Sequence, residues 1–72
     1  MVTKHDMLLD ALRERIRSGE LQPDNKLPSI NQLCAQYDVA ASTVRGVMLV
    51  LKAEGWVEGR PGQGVYVRHR GE

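Results

Sequence analysis

The chain has 72 residues and a formal net charge of +1, ten Lys or Arg against nine Asp or Glu, so it holds one domain and shows no charge excess pointing to a particular partner. Hydrophobic residues make up 42% and are aliphatic, with one Trp, two Tyr and no Phe, which is enough for a single small core and too periodic for disorder. The lone cysteine, Cys34, excludes an intrachain disulfide or a cysteine-built metal cluster and fits a reducing cytosol, and neither a signal peptide in Met1 to Asp10 nor a membrane-length apolar run is present.

Thr3 is placed to cap a first helix, with Asp6 three residues on in the position of a capping-box acid. Met7, Leu8, Ala11, Leu12, Arg15 and Ile16 form an i, i+3, i+4 stripe, with Leu9 beside it. Asp10, Arg13, Glu14 and Arg17 make an ordinary solvated face on the other side. Ser18 and Gly19 end the helix, Gly19 being free to take a left-handed cap. In the connection to Pro28, Pro23-Asp24-Asn25 is turn chemistry and Leu21 and Leu27 tuck into the core. Lys26 and Leu27 are expected to form a very short strand, because Pro28 biases Leu27 toward extended geometry.

Ser29 caps the second helix and Gln32 completes its capping box. Ile30, Leu33, Cys34 and Tyr37 share one side, and Ala35 is small enough for a close helix crossing. A tight joint at Asp38 and Val39 leads into a third helix, about 41–54, whose Val44, Val47, Met48 and Leu51 face the core. Ser42, Thr43, Arg45, Gly46 and Lys52 mostly face elsewhere. Ala40 as the cap costs about 1 kcal/mol against a good one. Gly46 costs a similar amount, on the order of 1 kcal/mol, tolerable if a side chain there obstructed a partner.

Gly55 ends that helix; Trp56 to Glu58 and Val65 to Val67 then read as two strands around a protruding glycine-rich loop, 59–64. Val65 and Val67 share a face opposite Tyr66, and Arg68 to Glu72 is expected to be a frayed tail. The expected fold is mainly α with a small β-hairpin, a winged helix-turn-helix over 1–68, with 69–72 as tail or start of a linker.

No catalytic set emerges, since the carboxylates scatter over solvated helix faces. Gly62-Gln63-Gly64 lies in a hairpin without the helix and lysine of a phosphate loop, and His5 and His69 lack partners at metal spacing. Neither enzyme activity, cofactor nor metal is expected. The architecture points instead to double-stranded DNA. Arg45, near the start of the third helix, reaches a phosphate or guanine edge, or else is a solvated arginine in a weak surface pair. Ser42 and Thr43 touch phosphates or a thymine methyl, or serve helix-start chemistry alone. Gly62 and Gly64 either meet a turn's need for positive φ or let the wing tip approach the minor groove, with Gln63 and Arg60 in reach. Lys52, Lys4 and His5 are candidate flanking phosphate contacts.

Ile16, Ser18, Gly19, Leu21, Pro23, Leu27-Pro28-Ser29, Leu33, Val39, Thr43-Val44-Arg45, Leu51, Glu54-Gly55, Val57, Gly62-Gln63-Gly64 and Val67 recur at characteristic spacing over most of the chain. By these residues the chain resembles the N-terminal DNA-binding domain of GntR-family bacterial transcriptional regulators. The resemblance implies a third helix in the major groove, a wing at the minor groove, and dimers acting on palindromic operators in the bacterial cytoplasm. It also implies a larger C-terminal effector-binding domain, so the chain is expected to be a fragment or a short relative that pairs through that missing domain or on DNA. Ser29, Asn31 and Ala41 join the candidate contacts. Where the family often has arginine, this chain has Asn31, Ala41 and Gln63; Ala40 replaces a serine, and Gly46 follows the retained Arg45. Those departures imply weak affinity and leave a second reading open, a winged helix used for protein contact.

Overall fold

The computed structural model describes residues 2–68. Helix α1 spans Lys4–Arg17, beginning where extended Thr3 accepts a 3.0 Å hydrogen bond from the Asp6 backbone N–H on its Oγ1. Leu8, Leu9, Leu12 and Ile16 are its buried residues, whereas Met7, expected in the stripe, is 43% exposed. At 3.6 residues per turn the four buried positions share an arc of about 100°, and Met7 falls about 100° beyond its edge. Leu9 closes the other edge. Helix α1 stops at Ser18, followed by Gly19 at φ +91°.

The connection after α1 is held to that helix at its start, where Leu21 N–H donates to Arg15 O at 2.9 Å, and to the hairpin from Asp24 onward. Asp24 N–H donates to Val67 O, Val67 N–H to Asn25 O and Leu27 N–H to Val65 O, each at 2.8 Å. The strand expected at Lys26 and Leu27 is thereby reduced to a single antiparallel bridge between Lys26 and Tyr66. Leu27 is buried, and Leu21 packs against the core from its margin.

Helix α2, Ile30–Tyr37, begins with the full capping box: Gln32 N–H donates to Ser29 Oγ at 3.1 Å, and Ser29 N–H to Gln32 Oε1 at 2.8 Å. Leu33 is wholly buried while Ile30, Cys34 and Tyr37 border the core. Ala35 is exposed, so it mediates no helix crossing; the short helix meets its neighbours through Leu33 instead. Asp38 ends α2 in the left-handed region at φ +55°. Helix α3, Ala41–Ala53, follows after three residues and buries Val44, Val47, Met48 and Leu51. Its cap, Ala40, supplies no side-chain hydrogen bond. A Cβ on Gly46 would meet the His5 ring of α1 at 3.4 Å, an ordinary contact, so nothing within the chain requires glycine there.

Strands β1, Val57–Arg60, and β2, Gly64–Val67, pair antiparallel with Val57 opposite Val67 and Arg60 opposite Gly64. The ladder thus takes in Gly59, Arg60 and Gly64, which the sequence places in the loop. The turn is only 61–63, closed by Gln63 N–H to Arg60 O at 2.9 Å. Beyond β2, Arg68 N–H donates to Trp56 O at 3.0 Å, so the pairing outlasts the expected start of the tail; 69–72, His69 included, lie outside the described residues.

The wholly buried side chains are Leu8, Leu12, Leu33, Val44, Val47, Leu51, Val57 and Val67. Every element contributes at least one, so none of the five can leave without opening the core. A polar strap closes one side of the α1–α3 contact. Arg13 Nη2 donates to both Glu54 carboxylate oxygens at 2.7 and 2.8 Å, and Trp56 Nε1 donates to Glu54 at 3.0 Å. Arg13 keeps its i, i+3 pair with Asp10 on the solvated face and also reaches across to α3. Three helices with a hairpin packed after the last make a winged helix-turn-helix. Among the described residues, no helix is long and apolar enough to cross a membrane, and no cluster of side chains could hold a metal ion.

Candidate nucleic-acid interface

Burial of one face of α3 leaves Ser42, Arg45, Leu49 and Lys52 as a row on the opposite face, all exposed. Their spacing of three, four and three residues keeps them aligned along the helix. Ala41 and Thr43 are half-buried at its first turn. The positive dipole end there suits an anion; Ala40 offers no side-chain cap, although Thr43 N–H already donates to Ala40 O at 3.0 Å.

Beside this row runs a groove of about 560 Å³, walled by α3, residues 26–30 and β2. Leu27, Pro28, Ile30, Met48, Leu49 and Val65 make its apolar floor; Lys26, Arg45 and Lys52 stand in its lining, which contains no carboxylate. Ser29 also faces the groove, although its Oγ already serves the cap of α2. A shallower depression continues over the wing past Lys52, Gly62, Gln63 and Gly64. Asn31 is exposed on the first turn of α2 and lines neither surface.

The arginines divide sharply by partner. Arg13 holds Asp10 and Glu54, Arg15 holds Glu20 and Tyr37, and Arg17 holds Glu14. Arg60, expected at the wing as a contact, is engaged as well. Its Nη2 lies 2.8 Å from Asp24 Oδ1, its Nε 3.0 Å from Glu58 Oε2, and its guanidinium 4.3 Å over the Tyr66 ring. Hydrogen bonds to Asp24 and then Glu58 raise its pKa, which favours the charged guanidinium. Lys4 is similarly occupied, its Nζ donating to Asp38 O at 3.1 Å across the end of α2.

Lys26, Arg45, Lys52 and Arg68 have no side-chain hydrogen bond or ion pair among the described residues. Three of these four line the groove. The near-neutral total charge thus conceals a one-sided distribution, because the acids cancel arginines elsewhere. Sequence reasoning missed Lys26 and Leu49 as members of this surface. Leu49 was legible, lying four residues after Arg45 on the same face; Lys26 reaches the groove only through its bridge to Tyr66.

Comparison with known proteins agrees with this geometry. The model of the family described as bacterial regulatory proteins, gntR family, matches residues 4–67. The HTH-type transcriptional regulator LutR of Bacillus subtilis (strain 168) is 42% identical over 53 residues, 74% of this chain and 24% of that protein. An arabinose metabolism transcriptional repressor of Halalkalibacterium halodurans is 33% identical over 70 residues, 97% of this chain and 19% of that protein. The chain therefore spans a quarter or less of the length of these curated relatives. A crystal structure of AraR(DBD) in complex with operator ORR3 superposes with a TM-score of 0.88 at 28% identity, over 93% of this chain and 81% of that one. By the match of the family model to nearly its whole length, and by relatives of this identity, the chain belongs to the gntR family of bacterial regulatory proteins.

Proposed function

We propose that the chain is the sequence-specific, double-stranded-DNA-binding domain of a bacterial transcriptional regulator. In this reading α3 enters the major groove and presents Ala41, Ser42, Thr43 and Arg45 to base edges and phosphates. The wing turn lays Gly62 and Gln63 along the minor groove. Ser29 and Asn31 approach the backbone from the start of α2, and Lys52 follows from α3. Arg60 is removed from the direct contacts and assigned to holding the wing in place. The observation that carries the reading is the unengaged Arg45 at the exposed start of a helix, in a fold superposable on a DBD–operator complex. The rest of the proposal is a cytoplasmic regulator without enzymatic activity, acting as a homodimer on a palindromic operator, through a C-terminal effector domain or by pairing on DNA; family membership supports it.

Leu49, 68% exposed within the same row, favours a second reading in which this face binds protein. One experiment separates the two. The folded domain is titrated with a pool of random duplex DNA at low and then physiological salt, and the bound fraction is sequenced. Enrichment of a half-site supports the DNA reading and supplies the operator. Absence of binding at low salt would defeat it in favour of protein contact.

A further inference from the structure

The wing has no unengaged cation of its own, since Arg60 is paired and its tip carries neutral Gln63. Two lysines from other parts of the chain lie against it instead. A Cβ on Gly64 would stand 2.9 Å from Lys26 Cε and 3.7 Å from its Nζ, the first distance being too short for a real contact. The Lys26 side chain thus lies over Gly64 of β2. Glycine is required there by its φ of +124°, since the end of the flexible Lys26 side chain could move aside for a Cβ. On the adjacent rung, where Gly59 opposes Val65, Lys52 Nζ lies 3.5 Å from the site of a Gly59 Cβ. One ammonium thus comes from the α1–α2 connection and one from α3, and each is laid against the hairpin backbone. The Lys26 main chain is pinned by its bridge to Tyr66 and by the 2.8 Å bond from Leu27 N–H to Val65 O. Neither ammonium has a partner among the described residues, and neither surface depression beside them is lined by a carboxylate.

We infer that Lys26 and Lys52 form a phosphate clamp on the flank of the wing, gripping one DNA strand where it passes between α3 and the hairpin. The inference rests on the DNA-binding reading and adds to it a residue, Lys26, brought into play only by the fold. Two ammoniums beside an apolar floor suit a phosphodiester strand, whose charges are spaced by sugars, better than a free inorganic anion. Lysine on phosphate carries no sequence information, so the clamp contributes to affinity and register and not to operator choice. It also offsets the arginine that the wing tip lacks.

The test is the salt dependence of binding to a random-sequence duplex between roughly 50 and 200 mM salt. Each phosphate contact removed lowers the slope of log K against log salt by about 0.9. Lys26→Gln is expected to flatten the slope by one such step, Lys52→Gln by another, and the double variant by both, while Lys26→Arg keeps the original slope. Both lysines are exposed, and thermal melting checks that each variant stays folded. A folded Lys26→Gln with the wild-type slope, on DNA that the wild type binds, would overturn the clamp and leave DNA binding intact. Failure of the wild type to bind the duplex at any salt would sink both.

Discussion

Arg45 stands one turn into α3 with no carboxylate to hold it, which makes it the side chain whose loss bears most directly on the proposed contact. Arg45→Ala is expected to cost about 1–3 kcal/mol of binding to the selected half-site if it reads a base edge. The melting temperature should not move, because the exposed side chain has no partner among the described residues. Equal affinity of variant and wild type on one duplex would remove Arg45 from the interface. Arg60 behaves oppositely. Its two carboxylates and the Tyr66 ring make it the fastening between wing, β1 and the Asp24 turn. Arg60→Ala is expected to lower the melting temperature and leave the salt slope of DNA binding unchanged. A flatter slope with unaltered melting would show that Arg60 exchanges its internal partners for phosphate.

At the scale of the element, α3 is the least well-capped helix and the one asked to meet a partner. Ala40 has the extended backbone of a cap, φ −73° and ψ 154°, but no oxygen to offer. Ala40→Ser is therefore expected to stabilise the domain by about 1 kcal/mol, read as a rise in denaturation midpoint at constant m. No rise would mean that the first-turn N–H groups are already served by Ser42, Thr43 or water. The same substitution is a probe of function. A serine hydroxyl at the cap competes with a phosphate for those N–H groups, so a stability gain accompanied by weaker DNA binding would locate a phosphate at the start of α3. Helix α2 shows the contrasting case, in which both capping-box bonds form and the short helix is held as a fixed support for α3.

For the whole molecule, the hairpin and helices are joined through an apolar core and several exposed polar contacts, among them the strap at Glu54. Glu54 accepts from Arg13 and from Trp56, drawing α1, the end of α3 and the approach to β1 together. A double-mutant cycle on Arg13→Ala and Glu54→Ala is expected to give a coupling of at most about 1 kcal/mol, near the upper end for exposed pairs because the contact is bidentate. Glu54→Ala should also shift the fluorescence of Trp56, the chain's single tryptophan. Zero coupling with an unchanged emission spectrum would make the strap incidental.

What could be read in the chain itself was whatever depends on neighbours within about one helical turn. The Thr3 and Ser29 caps, the left-handed stops after α1 and α3, and the apolar face of α3 all belong to this class. So do the two strands; the family was legible from the spacing of residues from Ile16 to Val67 along the chain. The misses share the opposite property. Arg60 is bound by an aspartate 36 residues away and Arg13 by a glutamate 41 residues away, separations over which no periodicity or pair rule operates. Met7 and Ala35 were misassigned because a helical stripe fixes a direction and not the width of the arc that its neighbours cover. Gly46 faces His5 on α1 and Gly64 lies beneath Lys26, neighbours that meet only when separate elements pack. The sequence by itself determined the elements, their order and the family. Tertiary structure alone decided which cations are cancelled and which remain unengaged, because pairing of charges is settled by distance in space after the apolar core has chosen how the elements meet.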